Sequence, residues 1–216
     1  MTLHKCAAGA LLFALASTLN AAEAATVTSV TGNFTADDDV FTTTVSIATA
    51  GYYRFESWSY AGGTMSDGTV VAAGGFDIIL SLFDATGELL GFFDDGADRI
   101  DPATGTDYDS AFNIALDPGD YTLAITQFNN FPTGSNLADG FDRQGEGNFT
   151  PGLEALGLPC TASSFCDISG TSANARTSFF AVDVTSVPAP VPLPPALLLM
   201  GASLASLGLR RRRSAV

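Results

Sequence analysis

The sequence predicts an all-β fold: an antiparallel β-sandwich or jelly roll of about eight strands, with an N-terminal signal helix and a C-terminal transmembrane helix. Three observations carry this. Short runs with two-residue alternation recur between Gly, Asp and Pro clusters from Val40 onward. No segment of the body sustains a 3.6-residue apolar period. Sixteen phenylalanines, most of them in the body, are enough to fill a core between two sheets.

Val40–Ile47 is threonine-rich with alternating Val and Ile. Gly51–Tyr60 follows a short Ala-Thr-Ala link; alternation puts Tyr53 and Phe55 on one face and Tyr52, Arg54, Glu56 and Trp58 on the other. Phe76–Phe83 is nearly all apolar and reads as a central strand. Ala85-Thr86-Gly87-Glu88 is a turn, and Leu89–Phe93 returns as its hairpin partner. Ala111–Leu116 points Phe112, Ile114 and Leu116 inward. Asp117-Pro118-Gly119-Asp120 turns the chain, since Pro presets φ and Gly accepts positive φ. Tyr121–Phe128 alternates again, with Tyr121, Leu123 and Ile125 on one face, and Ser178–Val184 closes the domain.

The two ends differ from the body. Lys5 supplies a positive charge, Ala7–Leu19 an apolar run too short to span a bilayer comfortably, and Ala22-Glu23-Ala24 small residues at the positions a signal peptidase reads. Residues 1–24 therefore read as a signal peptide, residues 25–187 as one acidic domain, and residues 188–216 as a sorting tail. In that tail a proline-dense stretch should be extended. Ala196–Leu209 follows without a charge, reaching about 21 Å as a helix against a hydrocarbon core of roughly 30 Å. Snorkelling arginines and apolar residues before Ala196 shorten that deficit. Arg210, Arg211, Arg212 and Arg213 would stay cytoplasmic, leaving the domain outside.

Val191-Pro192-Leu193-Pro194-Pro195, the apolar run and then Arg210–Arg213 resemble the PEP-CTERM sorting signals, in the variant that reads Val-Pro-Leu-Pro-Ala. Pro195 stands where that variant usually has alanine. The resemblance covers about the last thirty residues. It implies an exosortase-type sorting protease as partner, passage through or retention in the inner membrane, and a producer of exopolysaccharide or biofilm matrix. A second resemblance lies in the body. Asp38-Asp39-Val40-Phe41, Ala50-Gly51-Tyr52-Tyr53, Gly75–Asp84 with Gly87-Glu88-Leu89-Leu90, and Leu116–Leu123 look like the bacterial pre-peptidase C-terminal domains, jelly-roll-like accessory modules of secreted proteins. It spans roughly Asp37–Phe128 and Phe179–Val184, and residues between Asn129 and Arg176 form an insertion.

Composition narrows function further. Four arginines (Arg54, Arg99, Arg143 and Arg176) against 22 Asp and Glu leave residues 25–187 at −18, a surface that repels nucleic acid. The single histidine, His4, and the single lysine, Lys5, lie in the signal segment. The body thus lacks the inventory for a Ser-His-Asp triad, a Cys-His pair, a histidine metal site or a lysine nucleophile. Its 22 carboxylates make accidental pairs certain, and no motif singles out a glycosidase pair. No enzymatic activity is expected. Cys160 and Cys166 should form a local disulfide in an oxidising compartment.

The densest acidic run offers Asp94, Asp95, Asp98 and Asp101, with Asp107 and Asp109 beyond, as oxygen ligands for Ca²⁺. The spacing is not that of an EF-hand, and a solvated acidic loop between strands is the commoner explanation of such a run. Asp37-Asp38-Asp39 is a second candidate, since the modules that the body resembles sometimes bind calcium near this edge; Asp77 and Asp84 flank the central strand. In the insertion, Phe128-Asn129-Asn130-Phe131-Pro132 and Asp139-Gly140-Phe141-Asp142-Arg143 carry the aromatic and amide groups of a sugar-binding face, or else pin a long loop onto the sandwich. Trp58 faces the same choice. The expectation is an exported surface or matrix protein, structural or adhesive, with extracellular polysaccharide as the alternative partner.

Overall fold

The computed structural model describes residues 25–153, 160, 162–167 and 175–188. The expected signal segment, the sorting motif, the apolar run and the terminal arginines lie outside these residues. Among the described residues no helix is long and apolar enough to cross a membrane.

Ten strands appear in chain order: β1 (Thr26–Asn33), β2 (Phe41–Ile47), β3 (Gly51–Ser57), β4 (Gly63–Thr64), β5 (Val70–Val71), β6 (Ile78–Phe83), β7 (Leu89–Asp94), β8 (Ala111–Leu116), β9 (Gly119–Gln127) and β10 (Phe179–Val187). Eight of them build two four-stranded antiparallel sheets, ordered β1-β10-β3-β8 and β2-β9-β6-β7; β4 and β5 form a small hairpin. The fold is an all-β sandwich, as the alternation predicts.

The core fills as the alternation dictates. Tyr53 and Phe55 from β3, Phe112 and Leu116 from β8, Ile78, Leu80 and Leu82 from β6, and Leu123 and Ile125 from β9 meet in one cluster. Phe93 stacks on Phe112 with ring centroids 3.6 Å apart, and Phe34 on Phe76 at 4.9 Å. Tyr52, on the other face of β3, is exposed.

The alternation analysis does not find β1, for a physical reason. Val27 and Val30 are three residues apart, which breaks a period of two. The register against β10 shifts between Thr26 and Thr28, and this bulge turns both valines onto the core.

Strand β6 is buried along its whole length, on both faces. The inner face meets the core. The outer face lies under the insertion, where Phe141 packs on Phe83 and Ala124. A capping box at Asn136 and Asp139 folds part of that insertion, and Leu89 N–H donates to Ser135 O at 2.8 Å. Asp37, fully buried, fastens it: its carboxylate accepts from Thr150 N at 2.9 Å, from the Thr150 hydroxyl, and from Phe165 N at 2.6 Å.

Candidate functional site

The sequence-predicted acidic candidates divide into two groups, according to whether an arginine reaches them. Asp101 is almost wholly buried and pairs with Arg176 at 2.6 Å; the Arg176 guanidinium also donates to Gly75 O and Tyr60 O and lies 3.8 Å over the Tyr60 ring. Burial opposes ionisation of Asp101, yet the Ala103 N–H and Arg176 hold its carboxyl below the ordinary value. Asp109 is buried too, accepting from Ser57 Oγ, Tyr60 N and Ala61 N, with Arg99 at 3.7 Å. Arg99 also pairs with Glu56 at 2.5 Å and stacks over Trp58, which packs on a small cluster of Met65, Val71 and Ala181. Burial opposes ionisation of Glu56 as well, but hydrogen bonds from Arg54 and Arg99 hold it below the usual carboxylate range. These groups fasten loops; they are not offered to a ligand.

The Asp37-Asp38-Asp39 run is likewise used internally. Asp38 accepts from Gly145 N at 2.8 Å, and Asp39 accepts from Thr35 N, the Thr35 hydroxyl and Ala36 N. Asp84 closes the β6–β7 turn through Thr86 and Glu88.

Asp94 and Asp95 behave differently. With Asp77 they form a group whose ligand oxygens all lie within 4.8 Å of one another, and neither Asp98 nor Asp101 belongs to it. Strand geometry explains the meeting. Asp94 pairs across from Ile79, and Asp77 precedes Ile79 by two residues, so both side chains share the outer face of the sheet. Asp95 then takes a left-handed conformation (φ 65°). At Gly96 (φ 117°) an added Cβ would stand 2.5 Å from Ala111 O, so glycine alone lets the chain swing toward β8 here. Burial first, and then Asp95, push Asp94 up to about 6; burial, and then Asp107, push the more exposed Asp95 up to about 6 as well.

Two hydroxyls belong to the same corner. Ile79 pairs with Thr126 on its other side, and Ser81 follows it by two residues. Asp77, Ser81, Asp94 and Thr126 therefore surround Ile79 on one face. Ser81 and Thr126 are fully buried. Among the described residues, Ser81 Oγ, Thr126 Oγ1 and Asp94 Oδ1 have no hydrogen-bond partner. The rings of Phe92, Phe131 and Phe128 follow one another at 5.5 and 5.9 Å along this side, with Phe92 half exposed. The sequence signal for the hydroxyls was available: Ser81 and Thr126 are polar residues inside otherwise apolar runs.

The insertion's amides are engaged. Asn129 Oδ1 accepts from Arg143, and Asn130, fully buried, accepts from Arg143 N and donates to Asp38 O. Cys160 and Cys166 are bonded, as the compartment argument expects.

No protein-family model matches the chain, and no curated protein matches it. Among solved structures, it is similar to the pre-peptidase C-terminal domain of a collagenase from Bacillus anthracis. The two are 13% identical, the match covers 48% of this chain and 78% of that one, and the TM-score is 0.31.

Proposed function

We propose that this chain is an exported cell-surface or matrix module with a structural or adhesive role and no catalysis of its own. The supporting observation is how the body uses its chemistry. Without histidine or lysine in residues 25–187, the charged groups left are carboxylates and four arginines. Arg54 and Arg99 pair with Glu56, Arg143 with Glu146, and Arg176 with Asp101. Chemistry spent on holding loops to a sandwich suits a durable module better than a turnover site. The Cys160–Cys166 bond fits an oxidising compartment. Calcium would serve such a module as a structural ion.

Fractionation tests this reading. The full chain, expressed in a host with an exosortase-type system, is expected in the envelope or matrix fraction. A chain ending at Pro188 is expected in the medium. Cytoplasmic accumulation of the full chain would sink the reading. Retention on the producer's polysaccharide, displaced by free sugar, would instead favour a carbohydrate-binding module, for which the Phe92–Phe131–Phe128 row is the surface to mutate first.

A further inference from the structure

We infer that Asn33 and Asn148 are acceptor sites for an N-linked glycan, each opening an Asn-Phe-Thr triplet: Asn33-Phe34-Thr35 and Asn148-Phe149-Thr150. The co-substrate is a lipid-linked oligosaccharide, and the partner is an oligosaccharyltransferase of the membrane the chain crosses. The inference rests on the reading of this chain as exported, because that donor and that enzyme act on the outer side of the membrane.

Such triplets recur by chance, so the sequence alone decides little; what the fold does with each asparagine decides more. Six asparagines lie among the described residues. Asn130 is fully buried and donates its Nδ2 to Asp38 O, Asn129 is held by Arg143, and Asn136 caps the short helix that begins at Leu137. Neither these three nor Asn113, which precedes Ile and Ala, opens such a triplet. Asn33 and Asn148 do, and both are exposed. Each is held by its oxygen: Asn33 Oδ1 accepts from Ser178 Oγ at 3.4 Å, and Asn148 Oδ1 accepts from Asp37 N at 3.2 Å. Among the described residues nothing accepts from either Nδ2, the atom that carries the sugar in an N-linked glycan.

The middle residues fix the two roots. Phe34 is buried in the core against Phe76 and Phe180, and Phe149 is buried with the Arg143 guanidinium 5.4 Å from its ring centroid. In each triplet an apolar anchor therefore sits next to an asparagine that faces water. The Asp37 contact also ties Asn148 to the loop after β1, four residues on from Asn33.

The hydroxyls set the order of events. Thr150 is almost wholly buried; its hydroxyl donates to Asp37 and accepts from Cys166 N at 2.9 Å. The Thr35 hydroxyl donates to Asp39 at 2.7 Å, and Phe34 N donates to Ser178 O at 2.9 Å. Both triplets are closed in the fold, so transfer precedes folding, and the folded chain only has to accommodate the product on two exposed amides. In the transfer, Asn Nδ2 attacks the anomeric carbon of the donor. The C–N bond forms as the C–O bond to pyrophosphate breaks, the lipid pyrophosphate leaves with that electron pair, and the amide proton passes to a base of the transferase. A bulky, solubilising glycan belongs on such a surface.

The test is mass spectrometry of the full chain made in two hosts that differ only in a bacterial oligosaccharyltransferase and its lipid-linked oligosaccharide. With the transferase, the chain is expected without residues 1–24 and with two glycans, one on the peptide holding Asn33 and one on that holding Asn148. Asn33→Gln and Asn148→Gln should each remove one glycan, and together both. Thr35→Ala should empty Asn33 although the asparagine is kept. Glycosylated and bare chains should melt within about 2 °C of each other, since both amides lie at the surface. An exported chain that has lost residues 1–24 and is bare at both asparagines would overturn the inference and leave the export reading standing. A chain that keeps residues 1–24 in the cytoplasm would overturn both. Occupancy at one asparagine only would overturn the inference at the other, and glycans that survive the double Asn→Gln variant would overturn it at both.

Discussion

Two acidic corners of this sandwich use the same residue type and end in opposite electrostatic states. At one, Asp101 is buried against Arg176, held below its ordinary pKa by the Ala103 N–H and that guanidinium in spite of burial. At the other, Asp94 and Asp95 sit beside Asp77; among the described residues no arginine pairs with Asp94 or Asp95, and burial and neighbouring carboxylates push both up to about 6. The lesson is that a run of aspartates does not define a site. The partner that neutralises Asp101 arrives 75 residues later in the chain. Its absence from Asp94 makes that corner the candidate.

The comparison breaks most visibly at Arg176. Replacing it with methionine keeps much of the stem's packing and leaves Asp101 buried without its ion-pair partner. Breaking a buried pair from one side costs about 3–5 kcal/mol. In a domain of this size that lowers the melting temperature by roughly 10 °C. Adding Asp101→Asn to Arg176→Met should recover a good part of the loss, because the uncompensated charge goes with it. A single-variant loss below about 1 kcal/mol in chemical denaturation would show that water already reaches the pair.

Much of this was legible in the sequence, and the missing parts share a cause. Alternation, the apolar run of β6 and the turn before β7 located seven of the eight long strands, and alternation gave the inward faces of β3, β8 and β9, because side-chain direction in a strand is a local property. It failed for β1, where a bulge shifts parity between Thr26 and Thr28. The disulfide was legible from compartment and spacing. Asp94 and Asp95 were legible as acids in a dense cluster, but Asp77 entered only as a flanking residue. Asp98 and Asp101 were grouped with Asp94 although the chain turns away at Gly96. Ser81 and Thr126 went unnoticed because their significance lies in register: only the pairing of β6 with β9 and β7 places them around one isoleucine. Strand faces are written in neighbouring residues; sites that span three strands are not.

Acidity should separate the two corners by sign. Asp94 and Asp95 hold protons more tightly in the fold than in the unfolded chain, so the stability they give is present below the ordinary carboxylate value and lost as pH rises through about 6. Asp101 and Glu56 do the reverse. Their pKa values are lowered from 3.8 and 4.5, so their contribution is present above those values and lost as pH falls through the lowered ones. Melting in chelator should therefore show a decline of a few degrees as pH rises from about 4 to 6, and a separate collapse below about pH 4. The Asp94→Asn, Asp95→Asn double variant should flatten the first limb and leave the second. A profile in which both limbs disappear together would mean the two corners unfold as one coupled unit.

The smallest effect gives the sharpest contrast, because one substitution has opposite signs at the two corners. Asp101→Asn removes a buried charge that Arg176 needs and should destabilise the fold. Asp94→Asn removes a charge that its neighbours repel, so at neutral pH in chelator it should stabilise it. Asp94 and Asp95 both keep contact with water, which screens much of the repulsion, so the gain is about 1 kcal/mol, or 2–4 °C in melting temperature. An Asp94→Asn chain that is less stable than wild type in chelator would show that the carboxylate already has a donor. The Ile79 corner would then be another internally fastened loop, like the one at Arg176.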